Sequence, residues 1–287
     1  MFIAIIETGN FTLASKRLGT SLGQASKLIA KLEADLAVTL LRRTTRSITA
    51  TEMGTAYYER IKPLLSEYEA INDDMRLTTQ TPRGLLKISV PVTFGASQLT
   101  DPLLQFAQKY PDIELDIQFS DRIVNIVDEG FDLAIRIGHL TSSSLIARKL
   151  CPVRTLVVAS DDYLSKNKTP ESWKDLAQHN CILDTNFIEP YLWTFSDKQG
   201  KMQIQPVTGK LKFSNAEACL KAVCAGFGIA KLPDFVVKNA IDEGKLKTIL
   251  EDYEAPPRGL YVIYPPTKYL AHKSRVMIDF LVHTFSH

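Results

Sequence analysis

The N-terminal fold is decided by the stretch Phe11-Thr12-Leu13-Ala14-Ser15-Lys16-Arg17-Leu18-Gly19-Thr20-Ser21, followed by Gln24-Ala25-Ser26-Lys27-Leu28-Ile29-Ala30-Lys31-Leu32-Glu33. Leu13, Ala14 and Leu18 have helical spacing and predict a first short helix. Gly19 allows the positive φ of a sharp turn, and Ser21 is a typical N-cap for a second helix. The pattern therefore predicts two helices joined by a tight turn.

The second helix has one apolar and one polar side. Its apolar stripe is predicted to consist of Ala25, Leu28, Ile29 and Leu32, and its polar side of Gln24, Ser26, Lys27 and Lys31. Small side chains permit close approach to a major groove, while Gln, Ser and Lys bond base edges or phosphates. An ordinary surface helix pair with a solvated basic face is the alternative that these residues leave open.

A basic, β-branched run follows at residues 42–54, RRTTRSITATEMG, and predicts the wing of a winged helix-turn-helix. From Ala14 to Arg46 seven basic residues face only Glu33 and Asp35, whereas the whole chain carries a net charge of +2. The rest of the chain is therefore net acidic. A basic cluster directly after a helix-turn-helix pattern favours a nucleic-acid partner over a merely solvated surface.

These residues resemble the N-terminal domain of LysR-type transcriptional regulators. The resemblance is carried by residues 11–18, 26–27, 32–33, 41, 43–46, 51–52 and 54. Two features differ from the family pattern. Leu22-Gly23 stands where the family usually has Gln-Pro, and Met1–Ile6 is similar to the middle of the family's first helix, as expected of a truncated or misassigned start.

The resemblance implies double-stranded DNA as a partner. The residues that we expect at the DNA are Ser21, Gly23, Gln24, Ser26, Lys27, Lys31, Arg43, Thr45 and Arg46.

A heptad stripe follows the wing, formed by Tyr57, Ile61, Leu64, Tyr68, Ile71 and Met75. Such a stripe favours a partner helix. A helix lying on its own domain is the alternative, and the resemblance implies dimerisation, with either a homodimer or a tetramer as the assembly. Pro63 predicts a kink or short break near Lys62.

Strand and helix patterns alternate beyond the polar hinge 78–84, which predicts an α/β domain with mainly parallel sheets. Three motifs in this order, 131–138 (FDLAIRIG), 145–150 (LIARKL) and 226–233 (GFGIAKLP), resemble the two-lobed, periplasmic-binding-protein-like effector domain of the same family. The predicted divisions are 1–54 for the winged helix-turn-helix, 55–81 for the linker helix and hinge, and 82–287 for the effector domain. Lobe I is expected at 82–150 plus 255–287, and lobe II at 151–254.

A small anionic effector is expected between the lobes, where strands end and helices begin. The candidate residues are Thr93, Phe94, Ser120, Arg136, Ser214 and Asn215. Taken singly, each polar residue among them also suits a helix cap or a loop hydrogen bond.

Composition bounds the remaining possibilities. A length of 287 residues with 45% hydrophobic residues suits about two domains, and no segment is typical of a signal peptide or membrane span, so a cytoplasmic protein is expected. The four cysteines, Cys151, Cys181, Cys219 and Cys224, have no metal spacing and predict buried free thiols, with a redox or ligand-contacting cysteine as the alternative. We expect no metal, no cofactor and no catalytic residue, because no G-x-S-x-G, P-loop or His-Cys signature occurs. An enzyme, or a binding protein whose N-terminal segment serves another partner, remains the alternative class.

Overall fold

The computed structural model describes residues 1–43, 48–76, 81–138, 144–267 and 270–285. The chain divides into two compact units. One comprises Met1–Gln80 and Thr267–His272, and the other comprises Thr81–Pro266 and Lys273–His287. The division falls within the polar segment predicted as a hinge, of which residues 78–80 lie outside the described residues.

The N-terminal unit is a winged helix-turn-helix, as predicted. Its elements are α1 (Phe2–Thr8), α2 (Phe11–Arg17), α3 (Leu22–Leu36), β1 (Leu41–Arg43), β2 (Ile48–Ala50) and α4 (Glu52–Arg76). The strands β1 and β2 pair antiparallel directly after α3. Residues 44–47, which include Thr45 and Arg46 of the predicted wing, lie outside the described residues.

Local chemistry sets the turn between α2 and α3. Asn10 caps α2 by accepting hydrogen bonds from the Thr12 and Leu13 amides, and Gly19 has a φ of 62°. Ser21 caps α3 through a 3.2 Å hydrogen bond from the Gln24 amide to its Oγ. The predicted roles of Gly19 and Ser21 are thus confirmed.

The apolar stripes differ from the prediction. Leu13, Leu18 and Leu28 are 53%, 49% and 43% exposed. The core of this unit is instead formed by residues that include Phe2, Ile5, Phe11, Ala14, Ala25, Ile29 and Leu40. The buried side of α2 is formed by Phe11, Ala14 and Ser15, so it is turned away from Leu13 and Leu18.

The helix α4 runs from Glu52 to Arg76 without the break predicted near Lys62, and Pro63 lies inside it. A proline removes one helical hydrogen bond, and the remaining turns of a long helix offset that cost. The start of α4 packs closely on the wing. A Cβ on Gly54 would lie 2.0 Å from the Leu40 carbonyl oxygen, so this position requires glycine.

The C-terminal unit has two lobes, and the chain forms most of lobe I first. Its elements are β3 (Gly84–Val90), α5 (Val92–Phe94), a π-helical turn (Gly95–Leu99), α6 (Thr100–Lys109), β4 (Ile113–Phe119), β5 (Leu133–Gly138) and β6 (Ile146–Val153).

Lobe II follows. Its elements are β7 (Thr155–Ala159), α7 (Asp161–Lys166), a 3-10 helix (Trp173–Gln178), β8 (Cys181–Asp184), β9 (Leu192–Ser196), β10 (Met202–Pro206), β11 (Lys212–Phe213), α8 (Ala216–Cys224), β12 (Ile229–Pro233), α9 (Asp234–Asp242), β13 (Lys247–Ile249) and a second 3-10 helix (Glu251–Tyr253). The chain then returns to lobe I through β14 (Arg258–Tyr264) and α10 (His272–Phe285).

Each lobe is built on one five-stranded sheet. The strand order is β4-β3-β5-β14-β6 in lobe I and β11-β8-β12-β7-β13 in lobe II. In lobe I, β3 is parallel to β4 and β5, whereas β14 is antiparallel to β5 and β6. In lobe II, β12 is parallel to β8 and antiparallel to β7.

The expectation of mainly parallel sheets is therefore wrong, and both sheets are mixed. Parallel neighbours in one sheet require a crossover connection, usually a helix, within that sheet. The strands β6 and β14 instead lie next to the passages between lobes, and β14 enters its sheet directly from lobe II. It pairs antiparallel with β5 and β6. The sequence patterns also do not predict β8, the β9–β10 hairpin or α9.

The chain passes from lobe I to lobe II through a single residue, Arg154. The strand β6 extends to Val153, which pairs with Arg258 of β14, so lobe I includes residues beyond the predicted boundary at 150. The Asp234 amide donates to the Arg154 carbonyl at 3.0 Å. The Arg154 guanidinium binds both carboxylate oxygens of Glu254, at 2.8 and 2.6 Å.

All four cysteines are free thiols; Cys181 and Cys219 are buried, and Cys151 and Cys224 are half-buried. Burial raises the pKa of the Cys181 and Cys219 thiols to about 12, so neither forms a thiolate near neutral pH. Among the helices of the described residues, none is both long and apolar enough to cross a membrane.

Candidate nucleic-acid interface and interlobe cavity

The exposed side of α3 is basic and polar. Gln24, Lys27 and Lys31 are exposed at helical spacings of three and four residues. Within the described part of the chain, neither lysine forms an ion pair. Helix α3 thus presents two cations that an external anion could neutralise.

Acidic groups of the same unit are used internally. The Glu33 Oε1 atom accepts hydrogen bonds from the Leu40 and Leu41 amides at 2.7 and 3.0 Å, which fastens α3 to the wing. Glu7 pairs with Arg17 and Lys62, each at 2.7 Å. Burial alone would raise the pKa of Glu7, but the hydrogen bonds and charges of these two cations lower it overall.

The structure places the other predicted DNA residues as follows. Ser21 and Gly23 are exposed at the start of α3, Ser26 is half-buried, and Arg43 belongs to β1. Thr45 and Arg46 lie outside the described residues.

A cavity of about 140 Å³ lies between the two lobes. Lobe I lines it with Pro91, Thr93, Phe94, Asp121, Arg136, Ile137 and Arg258, and lobe II with Asp184, Asn186, Phe187, Ala216, Pro233 and Phe235. Of the predicted effector residues, the structure brings Thr93, Phe94 and Arg136 to this cavity.

Ser120, Ser214 and Asn215 are not among the lining residues. The Ser120 amide donates to the Val90 carbonyl, and the Asn215 side chain caps α8 by accepting from the Ala218 amide at 3.0 Å. The helix α8 reaches the cavity through its first residue, Ala216.

Several contacts between described residues join the lobes at the cavity. Asn186 Nδ2 donates to Asp121 Oδ2 at 3.2 Å and to the Ser214 carbonyl at 3.0 Å. The rings of Phe94 and Phe235 meet edge to face with centroids 5.2 Å apart. One hydrogen bond, one aromatic pair and the contact of Arg258 with the Phe187 ring therefore bridge the two walls.

The guanidinium of Arg136 is largely committed to the protein. It donates to the Ser89 carbonyl and Oγ atoms, to the Ile135 carbonyl and to the Arg122 carbonyl, at 2.7 to 3.2 Å. Burial lowers the pKa of Arg136. Its hydrogen bonds leave little donor capacity for the forked recognition of an anion.

The two carboxylates of the cavity are also hydrogen-bonded. Asp121 accepts from the Val92 amide at 3.0 Å as well as from Asn186. Asp184 accepts from the Asn186 amide at 3.0 Å, and burial raises the pKa of Asp184, with a smaller contribution from the charge of Asp121.

Arg258 differs from these groups. Its guanidinium carbon lies 4.6 Å from the centroid of the Phe187 ring, and burial lowers the pKa of Arg258. Within the described residues this side chain has neither a hydrogen bond nor an ion pair. The sequence reasoning missed Arg258, although an arginine that opens an apolar strand after Pro256-Pro257 is a signal that it could have used.

Comparison with known proteins identifies the families of both domains. Residues 1–55 match the family model described as bacterial regulatory helix-turn-helix protein, lysR family, and residues 79–286 match that of the LysR substrate binding domain. A transcriptional regulator of the helix-turn-helix type from Haemophilus influenzae is 35% identical over 273 residues, covering 95% of this chain and 94% of the relative.

The transcriptional regulator CrgA of Neisseria meningitidis is also similar, with 33% identity covering 98% of this chain and 94% of CrgA. A solved structure of CrgA, a LysR-type regulator from the same organism, has a TM-score of 0.65 and 31% identity, covering 100% of this chain and 97% of that structure. A winged helix-turn-helix followed by a two-lobed α/β domain defines the class, and the chain belongs to the LysR-type family of transcriptional regulators. Members of this family are regulators rather than enzymes, and effector-modulated DNA binding is typical of them.

Lys231 on β12 is a buried cation close to Arg258. It is only 8% exposed, donates to the Thr194 carbonyl and lies 4.9 Å from the centroid of the Phe195 ring. Burial, and to a smaller extent the charge of Arg258, lower the pKa of Lys231 to about 8, while Glu254 opposes this shift.

We expect this lysine to make stability depend on pH above 8. Below pH 8 the amine is protonated in both folded and unfolded chains. Between pH 8 and 10.5 only the unfolded chain retains the proton, so the free energy of unfolding should rise, by at most roughly 3 kcal/mol. Lys231→Met should lack this rise.

Urea unfolding followed by tryptophan fluorescence measures the effect, because Trp173 and Trp193 both belong to lobe II. The difference in unfolding free energy between wild type and Lys231→Met should change in favour of wild type as the pH is raised. A difference that stays constant from pH 7 to 10 would contradict the perturbed lysine.

Proposed function

We propose that the protein binds a two-fold symmetric DNA site as a homodimer in the cytoplasm, and that a small molecule in the interlobe cavity modulates this binding. The proposal of DNA binding is supported by the exposed basic side of α3. Its Lys27 and Lys31 have no carboxylate partner among the described residues. A recognition helix in this type of fold lies in the major groove. The wing, with Arg43, Thr45 and Arg46, is proposed to contact the backbone or minor groove beside it.

Gln24 and Ser26 are proposed to reach base edges, and Ser21, Gly23 and Lys31 to lie at the phosphates. Leu22-Gly23 opens the helix without bulk at position 23, where a Cβ would meet nothing within 4 Å. This leaves room for the sugar-phosphate backbone next to the helix N-terminus, whose partial positive charge favours a phosphate.

Lys27→Ala should weaken DNA binding and reduce the slope of log affinity against log salt by about one unit. Fluorescence anisotropy with a labelled operator at several salt concentrations measures both. Lys168→Ala is the matched control, since Lys168 is an exposed lysine of lobe II. Equal slopes for Lys27→Ala and wild type would remove Lys27 from the interface.

Assembly is proposed to use α4. Leu64 and Tyr68 of the heptad stripe are 59% and 61% exposed in the single chain, and Leu65 beside them is 44% exposed. A group of exposed apolar side chains on a long helix favours packing against a partner helix. Tyr57, in contrast, packs on the core of its own unit, so Leu64 and Tyr68 are the exposed members of the stripe among the described side chains.

Leu64→Asp should place an unpaired charge in this interface and dissociate the dimer. Sedimentation velocity measures the mass. Glu59→Lys is the control, because Glu59 is exposed on another side of the same helix and its change also alters charge. Dissociation by both variants, or by neither, would argue against the stripe as the interface.

Effector sensing is proposed to occur in the interlobe cavity, where Thr93 and Phe94 of lobe I face Phe235 of lobe II. A ligand changes the balance between lobe arrangements only through its different affinity for each arrangement. The cavity is suited to this because its two walls are joined by only a few contacts.

Thr93→Trp should fill the cavity and abolish the response of DNA binding to any small molecule that a thermal-shift screen identifies with wild type. Basal DNA affinity should persist, because Thr93 belongs to the other compact unit. Ser214→Ala is the control: Ser214 contributes its carbonyl to Asn186, and its side chain does not line the cavity. A full response in Thr93→Trp would place the sensor elsewhere.

A further inference from the structure

Four charged side chains line the interlobe cavity, and three of them are satisfied. Arg136 donates to backbone and hydroxyl oxygens, Asp121 accepts from Val92 and Asn186, and Asp184 accepts from Asn186. Arg258 alone among them has no hydrogen bond or ion pair with a described residue.

The Arg258 side chain is half-buried, and its nitrogen atoms remain open to the solvent-filled cavity, because no described side-chain nitrogen is both buried and without a hydrogen-bond partner. The Phe187 ring holds the cation in a favourable cation–π contact, with the guanidinium carbon 4.6 Å from the ring centroid. This contact uses none of the N–H donors of Arg258 in a hydrogen bond to a described residue, so they are available to an acceptor in the cavity. Such a group is preorganised for a planar anion that accepts two parallel hydrogen bonds.

We propose that Arg258 binds the carboxylate of the effector, and that the effector is an apolar monocarboxylate. This inference rests on the proposed function, in which the cavity is the sensing site. Arg258, rather than the sequence-predicted Arg136, is the residue that determines this specificity.

The rest of the ligand is specified by the cavity walls. Most of the lining residues are apolar: Pro91, Phe94, Ile137, Phe187, Ala216, Pro233 and Phe235. Three of them are phenylalanines, which suit a ring or a branched hydrocarbon.

The acidic side chains exclude other charge patterns. A second carboxylate would lie near Asp121 and Asp184, and no other described residue of the cavity lining supplies a free cation to neutralise it. An ammonium group is disfavoured because it would lie beside the guanidinium charges of Arg136 and Arg258, which also line the cavity. Burial also raises the pKa of Asp184, which reduces its value as a counter-ion.

The location of Arg258 links the ligand to lobe arrangement. Arg258 opens β14 of lobe I, opposite Val153 at the end of β6, and so lies at the passage between lobes. Phe187 belongs to lobe II. A carboxylate held by Arg258 against Phe187 therefore touches both lobes at once.

The test is calorimetric titration of the full-length protein with benzoate and cyclohexanecarboxylate, and with benzamide and succinate as neutral and doubly charged comparisons. Both monocarboxylates should bind wild type, and the two comparison compounds should bind at least about tenfold more weakly. Arg258→Gln should weaken monocarboxylate binding by about tenfold or more, because it removes a charge-assisted, bidentate pair. Arg258→Lys should retain part of the affinity through charge alone.

Arg148→Gln is the matched control. Arg148 lies on the neighbouring strand β6, pairs with Asp279 and does not line the cavity. Its affinity for both monocarboxylates should equal that of wild type. Unchanged tryptophan fluorescence and circular dichroism in the Arg258 variants show that a loss of binding is not a loss of fold.

The outcomes separate this inference from the proposed function. If Arg258→Gln binds the monocarboxylates as wild type does while Thr93→Trp does not bind them, the cavity is the site and Arg258 does not bind the carboxylate. If both variants bind as wild type, the cavity is not where these acids bind, and both ideas fail. If benzamide or succinate binds as tightly as benzoate, or if neither acid binds wild type at about 10 mM, a range weaker than most metabolite sites, the proposed ligand class is wrong.

Discussion

The architecture of the C-terminal unit depends on one constraint: the chain passes from the sheet of lobe I to that of lobe II through the single residue Arg154. Because only one residue separates β6 from β7, the adjoining ends of the two sheets must lie next to each other. The Asp234 amide donates to the Arg154 carbonyl, and Glu254 binds the Arg154 guanidinium on the return passage. The same constraint brings Arg258, Pro233 and Phe235 to the cavity, because each directly adjoins a passage.

The electrostatics of the cavity follow from which groups this geometry satisfies. Arg136 projects from a central strand and is surrounded by carbonyl oxygens, so its donors are used within lobe I. Arg258 opens a strand beside a passage, where fewer backbone acceptors lie within reach, and an aromatic ring takes the place of a carboxylate. Two arginines of one cavity thus have different roles, one structural and one available to a ligand.

In the N-terminal unit it is acidic side chains that are held by partners within the protein, which leaves basic side chains at the surface of its described part unpaired. Glu7 and Glu33 are held by internal partners, which tie α1 to α4 and α3 to the wing. Their charges therefore do not neutralise Lys27 and Lys31 on the exposed side of α3. The basic character of this surface results from the placement of its acids as much as from its lysines.

Local sequence alone determined the features that depend on neighbouring residues in the chain. Gly19 and Ser21 specify the turn and cap before α3, and the alternation of Ile113, Leu115 and Ile117 specifies a strand, because backbone sterics, capping and period-two patterning act over a few residues. These signals, with the family resemblance, predicted the winged helix-turn-helix, the α/β lobes, and Thr93, Phe94 and Arg136 as cavity residues. They did not predict the exposure of Leu28, the antiparallel strands β6 and β14, or an Arg258 guanidinium that is not hydrogen-bonded to any described residue. Those were decided by tertiary structure, since burial, strand direction and hydrogen-bond satisfaction depend on which distant residues arrive beside them.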